Sequence, residues 1–305
     1  MVISKFIFTR LYFFVFLGFC LNCYGTELKG FDARLNIGVY RPSLSNYVDL
    51  KDIEVSFNYW LQELTGDLPL DSIETRFYNK YQDLNAAFVR RDIDMFIAPP
   101  LAIVIHFNKE LIAEGFYSQS EQNEGDALLL LAHGENVDNI SDMVGKTLML
   151  PEHDKLAEIF LEMAALETYN KGYQQVFSKI ETAPKMNRIL LSLFFGRSDV
   201  ALVYKSSYDV MVEMNSQIKS RIKILKSYPV LSKNMTFMHK EYPHRKWLID
   251  RIKGLADHPR GQQILNIYQT AKIGISTVDT LDPFEQLYQQ YLSLKNLTLQ
   301  IPHHE

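Results

Sequence analysis

The stretch GKTLMLPEHDKLAEIF, residues 145–160, gathers the side chains best suited to meet a ligand. Its order reads as a short apolar strand, a sharp turn and a helix, a unit that aims unpaired helix N–H groups into a crevice where anions bind. The turn is acidic, however. Glu152, His153 and Asp154 supply two carboxylates and an imidazole, which are donors a divalent metal accepts. Three adjacent residues seldom converge on one ion, and no second His/Asp cluster completes a shell, so no metal is expected. Helix capping fits better. Leu156, Ile159 and Phe160 open an apolar face just after Asp154, which predicts Asp154 as the N-cap. Acidic groups there offset the positive end of the helix dipole by about 0.3–1 kcal/mol. Glu152 and His153 stay as candidate ligand contacts.

Other candidates stand at the ends of apolar runs. Tyr40 and Arg41 follow RLNIGVY (34–40), where Arg41 could hold a carboxylate or phosphate through two parallel N–H bonds, or could be an exposed loop arginine. Pro100 and Leu101 begin a helix whose free N–H groups would face the same crevice, unless the two prolines merely punctuate the chain. Tyr204, Lys205 and Ser206 follow DVALVY; Lys205 could attract an anion and Tyr204 could stack on a solute. Tyr78 and Tyr81 are further cleft candidates, the alternative being packing with a satisfied hydroxyl. His106, His133, His239, His244 and His258 show no ligand spacing and are assigned structural or surface roles. The sequence holds no Gly-x-Ser-x-Gly elbow, His-Glu-x-x-His, P-loop or dinucleotide Gly-x-Gly-x-x-Gly. Binding without chemistry, and no cofactor, is expected.

The elements that must position these residues alternate. Strands are predicted at RLNIGVY, SIETRFY and DMFIAPP, with a helix from the forties to Leu64 and another at YQDLNAAFVRRD burying Leu84, Ala87 and Phe88. A second series starts at DALLLLAHG (126–134) and continues as TLML strand, DKLAEIFLEMAALETYNKG helix, QQVFSKIET strand, MNRILLSLFFG helix, DVALVY strand, SSYDVMVEM helix and RIKIL strand. In KSRIKILK (219–226), basic residues alternating with Ile222 and Ile224 predict one solvated face. NMTFMHK (234–240) is a strand leading to a mostly helical block ending near Tyr291. This rhythm predicts an α/β protein with mostly parallel sheets covered on both faces. The second series is inserted between early and late parts of the first. The expected organisation is therefore lobe 1 at 26–125 plus 234–305 and lobe 2 at 126–233, with the ligand between them.

With 305 residues, 47% of them hydrophobic, the chain can bury a large core or two medium ones. A formal charge of −4 and the lack of a concentrated basic patch argue against nucleic-acid binding. Lys5 and Arg10 precede the apolar run LYFFVFLGFCL, and small residues follow, which predicts a secretory signal peptide over 1–25. An uncleaved anchor is the rival; Phe19 before Cys20 and Asn22 before Cys23 argue against a lipoprotein. Cleavage after Gly25 removes both cysteines and takes the charge to −6, leaving an exported, acidic, disulfide-free protein.

Taken in order, LNIGVYRP, YQDLNAAFVRRDIDMFIAPPLAIV, SDMVGKTLML, GRSDVALVY and HPRGQQIL resemble segments of the periplasmic solute-binding proteins of phosphate/phosphite/phosphonate ABC transporters. The resemblance implies a bilobed type II periplasmic binding protein whose lobes are joined by a hinge and close on a small solute. It also implies a periplasmic location, a monomer, and a membrane partner, either an ABC permease or a sensor protein. Departures fall at the pocket. LPEHDK stands where phosphonate binders supply Ser/Thr hydroxyls and backbone N–H groups. Tyr204 stands where they carry an acid, and Pro99 and Ile103 replace a glycine and an aromatic. A receptor for a small polar or anionic solute, with phosphonate disfavoured, is the expectation; a degenerate relative acting as a solute-independent interaction module is the alternative.

Overall fold

The computed structural model describes residues 34–40, 73–119, 126–134, 137–231, 234–257, 259–267, 270 and 272–300. The helix expected from the forties to Leu64, Arg41, the signal segment and the IPHHE tail lie outside these residues. In chain order the strands are β1 Leu35–Tyr40, β2 Ile73–Tyr78, β3 Met95–Ala98, β4 Ile112–Gln119, β5 Asp126–His133, β6 Thr147–Pro151, β7 Lys179–Ala183, β8 Val200–Tyr204, β9 Ile222–Val230, β10 Met235–His239 and β11 Lys272–Ser276. The longer helices are α1 Tyr81–Val89, α2 Pro100–His106, α3 Lys155–Tyr169, α4 Met186–Phe194, α5 Lys205–Met214, α6 Arg245–Lys253, α7 Pro259–Ile267 and α8 Asp282–Gln300.

The strands form two sheets, in the orders β11-β4-β10-β3-β1-β2 and β7-β6-β8-β5-β9. Alternating strand and helix signals predict parallel pairing, and this holds for β1 with β2 and β3 and for β6 with β7 and β8. The remaining pairs are antiparallel: β10 with β3 and β4, β11 with β4, and β5 with β8 and β9. Mixed sheets thus replace the mostly parallel ones expected. The cause is topological: the strands entering and leaving each series (β4, β5, β9, β10) carry the chain between sheets and meet their neighbours running the other way.

Three local expectations also change. The strand expected over 174–182 is shortened: Tyr173–Val176 is a helical turn after Gly172, and pairing begins at Lys179. Gln217–Arg221 is helical, so only the second half of KSRIKILK is strand. There Ile222 is buried, but Ile224, beside a register shift that skips Leu225, is 52% exposed. Finally, β4 and β11 were not expected, the latter within a block read as helical, and α8 runs on to Gln300. The hydrophobic periodicity held elsewhere: α1 buries Leu84, Ala87 and Phe88.

These strands and helices belong to one unit, Leu35–Glu305. One buried cluster joins Phe96 and Leu101 beside the first sheet to Leu130, Leu156, Phe160 and Leu202 around the second, and takes in Leu281, Phe284 and Leu287. Two further clusters fill the opposite faces, one around Ile37, Met95 and Met238, the other around Leu129, Ile189 and Val203. Helix α8 packs on both α2 and α3. It therefore touches one helix that follows the first sheet and one that follows the second.

Candidate functional site

Parallel strands deliver their carboxyl ends to one edge of a sheet, and side chains just beyond those ends share a crevice. In the first sheet Tyr40 ends β1 and pairs in register with Tyr78, the last residue of β2, while Tyr81 opens α1 and Pro100 opens α2. In the second, Glu152, His153 and Asp154 link β6 to α3, and Tyr204 ends β8. A cavity of about 260 Å³ lies where these ends meet. Tyr81, Pro99, Pro100, Leu101 and Ala102 line it from the first series, and Glu152 to Leu156, Met186 and Tyr204 from the second.

The turn that bounds the cavity is tightly held. His153 has φ of 57°, the left-handed region that costs a non-glycine residue energy, and it folds the chain sharply between strand and helix. The Glu152 amide donates to the Ala183 carbonyl at 3.1 Å, tying the turn to the end of β7. Asp154 is the N-cap of α3, as its position before the apolar face predicts. Its Oδ1 accepts from the Ala157 amide at 3.0 Å, and its Oδ2 accepts from the Tyr204 hydroxyl at 2.8 Å. Tyr204 is only 5% exposed, and burial followed by the Asp154 charge pushes its hydroxyl far above the usual phenol range, so it remains a donor.

Donors remain on both sides. The Ala102 and Ile103 amides both bond to the Pro99 carbonyl, at 3.0 and 3.2 Å, and Pro100 has no N–H. The Leu101 N–H, and on α3 the Lys155 and Leu156 N–H groups, have no partner among the described residues. The charged side chains in the wall are already paired: Lys155 Nζ lies 2.9 Å from Glu158 Oε2, and His153 Nε2 lies 3.5 Å from Glu152 Oε1. Burial alone would lower the Lys155 ammonium, but the hydrogen bond and charge of Glu158 outweigh it and the net shift is upward. Among the described residues no cluster of three or more His, Cys, Asp or Glu could hold a metal ion.

An aromatic column backs one wall. Tyr81 stacks on Tyr40 with centroids 3.7 Å apart and on His106 at 5.1 Å, both near parallel. Burial raises the Tyr81 hydroxyl most, followed by its hydrogen bond with Tyr40 and the charges of Asp154 and Glu158. Charges on α3 therefore reach a tyrosine on α1, across the crevice. His106, half-buried, has its imidazole pushed below the ordinary range by desolvation.

Of the residues expected to contact a ligand, Tyr81, Pro100, Leu101, Glu152, His153 and Tyr204 come together in the cavity wall. Tyr40 stands behind Tyr81, and Tyr78 packs beside Gly38, whose added Cβ would lie 3.3 Å from the Tyr78 ring. Lys205 and Ser206 are turned to other work. Lys205 Nζ pairs with Asp209 Oδ2 at 2.6 Å along α5, and Ser206 donates from its amide and hydroxyl to Asp126 at 3.0 and 2.7 Å. Spacing missed His106, whose signal lies in the last turn of a helix that begins at the crevice, and Met186, which opens α4 after β7.

Two α/β bodies with a cavity between their strand ends define a bilobed solute receptor of the type II periplasmic fold. From residue 48 to residue 281 the chain matches the family described as ABC transporter, phosphonate, periplasmic substrate-binding protein, and it belongs to that family. A binding protein component of an ABC phosphonate transporter from Pseudomonas aeruginosa superposes with a TM-score of 0.63 at 16% identity, covering 89% of this chain and 91% of that one. PhnD1 from Prochlorococcus marinus, solved in complex with methylphosphonate, gives 0.60 at 12% identity, covering 85% and 98%. XAC2383 from Xanthomonas citri, solved bound to ATP, gives 0.63 at 12%, covering 87% and 98%. No curated protein matches the chain in sequence.

Proposed function

We propose that this protein is an exported receptor that takes a small polar or anionic solute into the cavity between its two sheets and presents it to a membrane partner. The observation that carries this is the cavity itself, about 260 Å³, walled by strand ends and helix starts from both sheets. That volume falls just below the roughly 300–1,000 Å³ of drug-sized sites, which suits a small metabolite. Membership of the family supports a periplasmic location and an ABC permease as the partner; a membrane sensor would use the same two-lobed form. It also supports binding in place of catalysis.

The proposal includes a signal peptide over 1–25, lobe 1 over 26–125 and 234–305, and lobe 2 over 126–233. Tyr81, Leu101, Glu152, His153 and Tyr204 are the proposed contacts, with Tyr40 stacked on Tyr81; Arg41, next in sequence to Tyr40, remains a candidate. Phosphonate is not the proposed solute, because the first turn of α3 is already capped by Asp154 and bordered by Glu152. Thermal-shift screening of the purified protein against metabolites, with small-angle scattering of the hits, is expected to find a stabilising solute that compacts the protein. Calorimetry is expected to show weak or no methylphosphonate binding; submicromolar affinity would overturn the exclusion.

A further inference from the structure

We propose that Asp154 sets a charge ceiling on the cavity, admitting polar solutes with at most one negative charge and rejecting dianionic oxyanions. The proposal rests on the cavity being the solute site.

Helix α3, 15 residues long, contributes the partial positive charge of its N-terminus to the cavity wall. Asp154 places a full negative charge at that end. The carboxylate is clamped from two elements, since Oδ1 takes the Ala157 amide of α3 and Oδ2 takes the Tyr204 hydroxyl of β8. It cannot swing aside without giving up its bond to a buried phenol. The spare amides of Lys155 and Leu156 follow Asp154 directly, so a solute oxygen bound to them sits close to the carboxylate. Coulomb repulsion there doubles when the solute's charge doubles. The cation that would offset it, Lys155, already faces Glu158. One negative charge finds backbone donors and the helix dipole; a second finds no further counter-charge among the described residues of this wall.

Asp154→Asn tests this without removing the cap, because asparagine caps as well as aspartate and its amide N–H₂ can donate to the Tyr204 oxygen. The probes are methylphosphonate and inorganic phosphate, titrated by calorimetry in mildly alkaline buffer where both are dianions. Affinity is expected to rise about tenfold or more in Asp154→Asn over the natural chain. Tyr204→Phe, which removes the hydroxyl and keeps the charge, is expected to show no such rise. No gain in a folded Asp154→Asn protein, or an equal gain in Tyr204→Phe, overturns the proposal. Should Asp154→Asn fail to fold, Asp154→Ser supplies a second neutral cap judged by the same criterion. The metabolite screen on the natural chain separates the two levels. A natural chain that answers to no solute sinks the receptor; one that answers to solutes of low charge, beside an Asp154→Asn that gains nothing, sinks only the charge ceiling.

Discussion

A single carboxylate joins helix, strand and cavity here. Truncation of Asp154 to alanine removes an N-cap, worth about 1 kcal/mol, and a hydrogen bond from the Tyr204 hydroxyl to a charged acceptor, worth about 1.5–3 kcal/mol. Asp154→Ala is therefore expected to cost about 2–4 kcal/mol in urea-induced unfolding, and Asp154→Asn well under half of that. Equal losses in the two variants would show that the Tyr204 bond matters little. The cap was legible in the sequence because it depends on local order: an acid directly before an apolar helical face. The Tyr204 partner was not, because Asp154 and Tyr204 are 50 residues apart and meet only through the pairing of β6 with β8. Lys205 misled for a similar reason. Its place after a strand end suggested the crevice, yet Asp209 one helical turn on is nearer at hand.

Elements with strong periodicity declared themselves; the two antiparallel strands added late to the first sheet did not. Strand β4, IAEGFYSQ, alternates poorly and carries Gly115, a residue that ordinarily weakens a strand. The structure shows why it is there. A Cβ at Gly115 would lie 1.8 Å from the Thr236 carbonyl oxygen of β10, a backbone atom that cannot yield. Gly115→Ala is expected to destabilise by about 3 kcal/mol or to abolish soluble expression, the upper range for overpacking. A near-neutral melting shift would contradict the close approach of β4 and β10. The register shift next to Ile224 was hidden for a similar reason, since a bulge is a property of two strands and neither sequence announces it alone. The parallel expectation failed for a broader reason: local periodicity says that a strand exists, while its direction is set by where the chain next travels.

Taken whole, the molecule is expected to loosen in mild acid. Burial holds the imidazoles of His106 and His239 below their ordinary range, with the Arg91 charge adding to the effect at His239. As pH falls through about 6.5, the unfolded chain protonates these groups before the folded one does. The unfolded state then binds more protons, so stability is full above that pH and declines below it towards the folded-state values. Urea midpoints that stay flat between about pH 7.5 and about pH 5.5 would contradict this. The exposed ion pairs, Arg90 with Asp92 among them, change the balance little.

Helix α8 lies against both α2 and α3, so it bears on each of the two bodies that a solute would draw together. A change in the angle between them is expected to appear as sliding or tilting along this rod. Leu297, 58% exposed near its end, is a place from which that motion can be watched. The sequence has only two cysteines, Cys20 and Cys23, both within the segment assigned to the signal peptide. An environment-sensitive fluorophore on Leu297→Cys in the processed chain would then label one site alone and turn occupancy into an optical signal. Solute is expected to change its emission in proportion to saturation, which makes the C-terminal helix a ready-made reporter for finding the ligand.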